Sequence, residues 1–94
     1  MAVYAVVQVD VTDPEAYGKY AELAGPAVTK YGGEFLARGG EVVVKEGTTR
    51  ARCVLIRFDD METAQAFYDG PEYQEALSHG LPASERDYKF VEGV

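Results

Sequence analysis

Gly32-Gly33-Glu34-Phe35-Leu36-Ala37-Arg38-Gly39-Gly40 decides how this chain is read. Two glycine pairs bracket a short, mostly apolar segment that ends in an arginine. Glycine enters positive φ without steric cost, so each pair marks a change of chain direction. The first pair closes a helical pattern that runs up to Tyr31. The second interrupts what otherwise reads as one long strand from Glu34 to Glu46. A strand broken by Gly-Gly bends or bulges, and bulges re-aim the side chains beside them. Arg38 stands just before that break and is the first candidate for a functional side chain.

Upstream of this stretch, Val3, Ala5, Val7, Val9 and Val11 alternate with Tyr4, Val6, Gln8 and Asp10, which is the period of a β-strand. A helix start follows. Asp13 can cap, Pro14 suits the first helical position, and Glu15 favours the positive end of the helix dipole. Tyr17, Tyr20, Ala21, Ala24, Val28 and Tyr31 then recur at helical spacing. Gly25-Pro26 predicts a kink or break, because proline removes a backbone hydrogen bond, and Gly32 sits where a helix-ending glycine belongs.

Downstream, Glu34–Arg38 and Glu41–Glu46 read as two arms of a bent strand, Gly47-Thr48-Thr49 as a turn, and Arg50–Phe58 as the next strand. In that strand Val54, Ile56 and Phe58 oppose Cys53, Leu55 and Arg57. Asp59 with Glu62 predicts a capping arrangement for a second helix, whose inward positions are Ala64, Phe67 and Tyr68. Gly70-Pro71 ends that helix and opens a third with Tyr73, Ala76 and Leu77 inward. Gly80-Leu81-Pro82 stops it, and Arg86 to Gly93 alternates as a last strand.

The order is β-α-β-β-α-β with a divided second helix. It predicts an α+β fold, a ferredoxin-like antiparallel sheet with helices on one face, in a single domain over residues 1–94. Hydrophobic residues at 47% and charged residues at 27% suit an ordinary small globular domain. Helices cover only one face of such a sheet. Tyr4, Val6, Cys53 and Leu55 make the other face too apolar to leave in water, at ~25 cal/mol per Å². Pairing two such faces about a two-fold axis predicts a homodimer packed sheet on sheet.

The net charge of -7 argues against nucleic acid and anionic membrane as partners. No segment approaches the ~20 apolar residues of a membrane helix. No basic stretch followed by a long apolar run opens the chain, so a cytoplasmic protein is expected. The single Cys53, in an apolar run, reads as a buried, unreactive thiol.

Asp13-Pro14 with Tyr17 and Tyr20, Gly32-Gly33-x-Phe35-Leu36-x-Arg38-Gly39-Gly40, Glu46-Gly47, Phe58, Phe67-Tyr68, Pro71-Glu72-Tyr73 and Val91-Glu92-Gly93 together resemble domain of unknown function 1330. The similarity spans essentially the whole chain. It implies a dimeric α/β barrel, related in fold to antibiotic-biosynthesis monooxygenases, dye-decolourising peroxidases and muconolactone isomerases. It implies no activity, and fold alone supplies none. The chain departs from the pattern where family members often carry an arginine after the third helix. Here the residues are His79-Gly80, and Leu81 to Glu85 also strays. One wall of any shared pocket would be altered.

Arg38 either holds a carboxylate bidentately or pairs with Glu34, Glu41, Glu46 or an acid across the dimer. Tyr17, Tyr20, Tyr68 and Tyr73 fall on inward helix positions. They either line an apolar, ligand-binding pocket with polar tips or fill the core with their hydroxyls reaching the surface. His79, the only histidine, is the one candidate for a general base or a haem ligand, and equally serves as a cap for a helix dipole. The haem-binding relatives need a histidine on a long helix facing a large cavity, which so short a chain does not easily offer. No metal-ligand spacing, nucleophile elbow or phosphate loop occurs. Three readings of the cleft stay open on the sequence. One is an enzyme-like protein that binds a small, partly apolar acid without metal or cofactor, with Arg38 orienting it, a tyrosine donating, and His79 assisting. Another is a non-catalytic dimeric binding or interaction module. The third is a purely structural dimer.

Overall fold

The computed structural model describes residues 1–94. Its elements are β1 (Val3–Val11), α1 (Pro14–Lys30), β2 (Glu34–Arg38), β3 (Arg52–Phe58), α2 (Met61–Asp69), α3 (Pro71–Gly80) and β4 (Ser84–Glu92). The four strands form one antiparallel sheet in the order β2-β3-β1-β4. The three helices cover one face, the ferredoxin-like α+β arrangement.

The strand alternation supplies the core. Val3, Ala5, Val7 and Val9 of β1 are buried, as are Val54, Ile56 and Phe58 of β3. Against them lie Tyr20, Ala24, Ala27 and Val28 of α1, Phe67 of α2, and Tyr73 and Leu77 of α3. Local signals set the helix ends. The Asp13 carboxylate accepts from the Ala16 N–H at 3.2 Å, and Pro14 and Pro71 open their helices.

Several boundaries differ from the sequence reading, each for a physical reason. Helix α1 runs unbroken through Gly25-Pro26. Pro26 is on the exposed side, and the buried Ala27 and Val28 beyond it anchor the last turn to the core. The cap of α2 is Asp60, whose carboxylate accepts from Thr63 N–H at 2.7 Å, one residue beyond the expected Asp59. Residues 41–46 do not form a strand arm. Strand β2 is an edge strand paired only with β3, and β3 begins at Arg52. The Gly39 N–H takes the Cys53 carbonyl at 3.0 Å, while the Ala51 N–H and the Arg50 side chain turn instead to Asp10. Residues 41–46 therefore have no strand beside them, and Val42, Val43 and Val44 lie exposed.

The helix-free face of the sheet carries Tyr4, Val6, Leu55 and Val91, interspersed with Gln8, Arg57, Asp87 and Lys89. Cys53 lies on this face opposite Gln8 and is half-buried, not fully buried as its apolar run suggested. The register explains it: odd positions of β1 and even positions of β3 take the helix side, and Cys53 has the opposite parity. No helix is long and apolar enough to cross a membrane.

Candidate functional site

The sheet register lays down two rows of side chains on the helix-covered face. One row runs Arg52–Val9–Arg86 across β3, β1 and β4. The next runs Arg38–Val54–Val7–Tyr88 across β2, β3, β1 and β4. Apolar valines thus form a floor, flanked by Arg38 and Arg52 on one side and by Arg86 and Tyr88 on the other.

Arg38 reaches this floor because of a bulge. Phe35 pairs with Ile56 and Arg38 with Val54, so three steps on β2 span two on β3, and the register shifts between Phe35 and Ala37. In a regular ladder Ala37 would stand opposite Val54, and Arg38 would point to the other face. The bulge comes before the glycine pair rather than at it. The arginine side chain stacks on the Phe35 ring at 4.2 Å and passes close to Gly25 of α1. Within the chain, Glu34, Glu41 and Glu46 do not pair with it.

Gly39 places the second arginine. Its φ is +73°, and a Cβ there would lie 2.1 Å from Arg52 Nη1. Only glycine allows both the turn and the approach of the guanidinium.

Helix α1 roofs the floor with Tyr17, Tyr20, Ala21 and Ala24, and α3 contributes Tyr73. The small alanines leave a narrow cleft of about 50 Å³ between roof and floor, open to solvent at its mouth. Gly80 makes room for Tyr20, since a Cβ at that position would lie 2.5 Å from the tyrosine ring. Gly80, of the His79-Gly80 pair singled out on sequence, is therefore matched to a side chain of the cleft.

At the inner end the tyrosines and Arg86 form a hydrogen-bonded group. The Tyr20 and Tyr73 hydroxyls lie 2.8 Å apart, and Arg86 Nη2 donates to both at 2.9 Å. The guanidinium also lies over the Tyr20 ring at 4.7 Å and near the Tyr88 ring at 5.4 Å. Burial, reinforced by Tyr20, pushes the Tyr17, Tyr73 and Tyr88 hydroxyls above the ordinary phenol range, so they remain protonated donors at neutral pH. Burial works against the charge on Arg86, but the Tyr20 and Tyr73 oxygens outweigh it and raise its pKa. Arg86 Nη1, Arg52 Nε and Tyr88 Oη are buried with no protein partner.

The charge distribution sets this group apart. Arg50 and Arg57 pair with carboxylates, as does Lys30. Arg38, Arg52 and Arg86 have no carboxylate partner, although the chain carries 16 acids against 9 bases. No carboxylate or imidazole lines the cleft. What it offers is an apolar slot with Arg38 and Arg52 at one end and, at the other, tyrosine hydroxyls backed by Arg86.

Of the residues singled out on sequence, Arg38, Tyr17, Tyr20 and Tyr73 meet around this cleft. Tyr68 does not line it; its ring packs behind, 5.2 Å from Tyr73 and 5.4 Å from Tyr88. His79 does not line it either, and lies half-buried in the last turn of α3. The sequence reading missed Arg52, Arg86 and Tyr88. A signal existed: Arg52 shares parity with Val54, Ile56 and Phe58, and Arg86 with Tyr88 and Phe90. An arginine at a core-facing position near the start of two strands is a departure from the alternation rule that marks a site.

The fold recurs in solved structures at low sequence identity. A protein of unknown function from Rhodopseudomonas palustris superimposes with a TM-score of 0.79 at 16% identity, covering 99% of this chain and 82% of its own. A dimeric ferredoxin-like protein of unknown function from Jannaschia sp. CCS1 gives 0.72 at 15% identity, covering 99% and 100%. SnoaB from Streptomyces nogalater, a cofactor-independent oxygenase, gives 0.66 at 10% identity, covering 99% and 93%. No curated protein matches the sequence. Residues 2–94 match the family described as Domain of unknown function (DUF1330), and the chain belongs to that family.

Proposed function

We propose that the chain is a cytoplasmic homodimer, paired through its helix-free sheet faces, that takes up a small, partly apolar carboxylic acid between α1 and the sheet and acts on it in an enzyme-like way without a cofactor. One observation carries the reading: in an acidic chain, two of the three arginines without carboxylate partners, Arg38 and Arg52, line an apolar cleft, and the third, Arg86, holds the hydroxyls of two tyrosines that line it. Arg52 is half-buried with its Nε enclosed and unpartnered, a costly arrangement that an anionic ligand offsets. Arg38 and Arg52 clamp the carboxylate; the protonated tyrosines donate hydrogen bonds or a proton. The fold shared with SnoaB, which is described as working without a cofactor, is compatible with chemistry done by side chains alone. The pairing is supported by the apolar residues on the open face and by neighbours described as dimeric.

A non-catalytic binding module is the second reading. It is favoured by the lack of any carboxylate or imidazole lining the cleft to serve as a general base. Native mass spectrometry reports the oligomer and any acid that is carried through purification. Calorimetric titration with benzoate then tests the clamp. Binding to the wild type that falls at least tenfold in Arg38→Gln and Arg52→Gln is the expected result. Absence of benzoate binding, or binding that is indifferent to both substitutions, overturns the anion reading. Conversion of the bound acid, followed by proton NMR, separates enzyme from module.

A further inference from the structure

The clamp explains Arg38 and Arg52 but leaves the other side of the floor without a purpose. There, two valine-separated steps across the sheet, stand Arg86 and Tyr88. Each has a polar atom free to donate: Arg86 Nη1 and Tyr88 Oη have no protein partner. A third donor follows from counting protons. Tyr20 and Tyr73 both accept from Arg86 Nη2, and one hydroxyl donates to the other across 2.8 Å. One O–H of that pair is then left over. Buried donors of this kind are costly unless an acceptor meets them.

We infer that this inner end is a second recognition site, for a neutral ligand oxygen, and that the ligand class is a two-ended acid with a phenol or ketone oxygen opposite its carboxylate. The inference rests on the anion reading above and extends it. The polarity of the slot assigns the two ends. Arg38 is exposed at the mouth, so a carboxylate there keeps part of its hydration. Arg86 lies deeper, its charge already solvated by two tyrosine oxygens, and a full negative charge beside it would be expensive to desolvate. A neutral oxygen takes the remaining donors at less cost. Between the ends the valine floor and the α1 alanines offer only apolar contact. Arg52 and Arg86 sit on strands two steps apart, about 10 Å between Cα atoms by sheet spacing. Both side chains rise from the same face, so that separation, rather than their reach, bounds one small ligand between them.

The test compares benzoate, phenol and 4-hydroxybenzoate by calorimetry on the intact protein. A hydrogen bond from a charged or buried donor predicts that 4-hydroxybenzoate binds about tenfold tighter than benzoate, with phenol weakest. Tyr88→Phe removes a hydroxyl that holds nothing in the protein, so folding is spared. It should abolish most of the gain from the para-hydroxyl, whereas Arg52→Gln weakens benzoate and 4-hydroxybenzoate alike. Equal affinities for benzoate and 4-hydroxybenzoate, or a gain that survives Tyr88→Phe undiminished, overturn the two-ended site while leaving the carboxylate clamp standing. Loss of benzoate binding itself signals failure of the clamp, and the second site falls with it.

Discussion

Two tyrosine-to-phenylalanine substitutions, chemically identical, should have opposite consequences. Tyr73 is 1% exposed, and its hydroxyl both meets Tyr20 at 2.8 Å and accepts from the Arg86 guanidinium at 2.9 Å. Removing it deletes a hydrogen bond from a charged donor, worth about 1.5–3 kcal/mol, and a neutral one worth about 1. The gain from no longer burying a hydroxyl offsets about 1 kcal/mol of this. The net loss for Tyr73→Phe is about 2 kcal/mol. For a domain of this size that lowers Tm by about 8–16 °C. The urea midpoint should fall by about 1–2 M with m unchanged. Tyr88 is half-buried, and its enclosed hydroxyl oxygen has no protein partner. Tyr88→Phe should therefore stay within about 0.5 kcal/mol of wild type, on the stabilising side. Urea melts of both variants at one protein concentration, followed by circular dichroism, decide the matter, since concentration alone shifts an oligomer's midpoint. Equal losses in the two variants, or no loss in Tyr73→Phe, would refute the hydrogen-bonded group at the inner end of the cleft.

Gly39→Ala should destabilise the protein by about 1–3 kcal/mol, through its positive φ and the displaced Arg52, and weaken benzoate binding in calorimetry. The alkaline limb carries a separate signature. The Tyr17, Tyr73 and Tyr88 hydroxyls have folded pKa values raised above the unfolded phenol value of 10.0, by burial first. Their contribution to stability is fully present below that value and is lost as pH rises through the folded values. Tyrosinate absorbance should accordingly show part of the seven tyrosines ionising only as the protein unfolds, and a smooth titration of all seven in folded protein would contradict the burial argument. Leu55→Glu, on the helix-free face, should convert a dimer to monomer in native mass spectrometry with the helical circular dichroism retained. A dimer that persists places the contact elsewhere.

Much of the fold was legible in the chain itself. Period-two alternation in residues 3–11, 52–58 and 86–92 and period-3.6 recurrence from Tyr17 to Tyr31 are local properties, set by backbone geometry within each element. So were Pro14 and Pro71 at helix starts, and Gly32 at the end of α1 with its φ of +74°. Tyr17, Tyr20 and Tyr73 could be placed inward, and Arg38 singled out, on those grounds. What the tertiary structure alone decided is which residues stand side by side. Pairing β1 with both β3 and β4 sets Arg52 and Arg86 in one row around Val9, though they are far apart in sequence. Whether a strand arm exists at 41–46 depended on whether β3 extended far enough to pair with it, and it does not. The bulge between Phe35 and Ala37 turned Arg38 to the helix side, because a shift of one residue exchanges the faces of a strand. Periodicity reports the face a residue takes within its own element; register and bulges, which belong to pairs of strands, decide what it meets there.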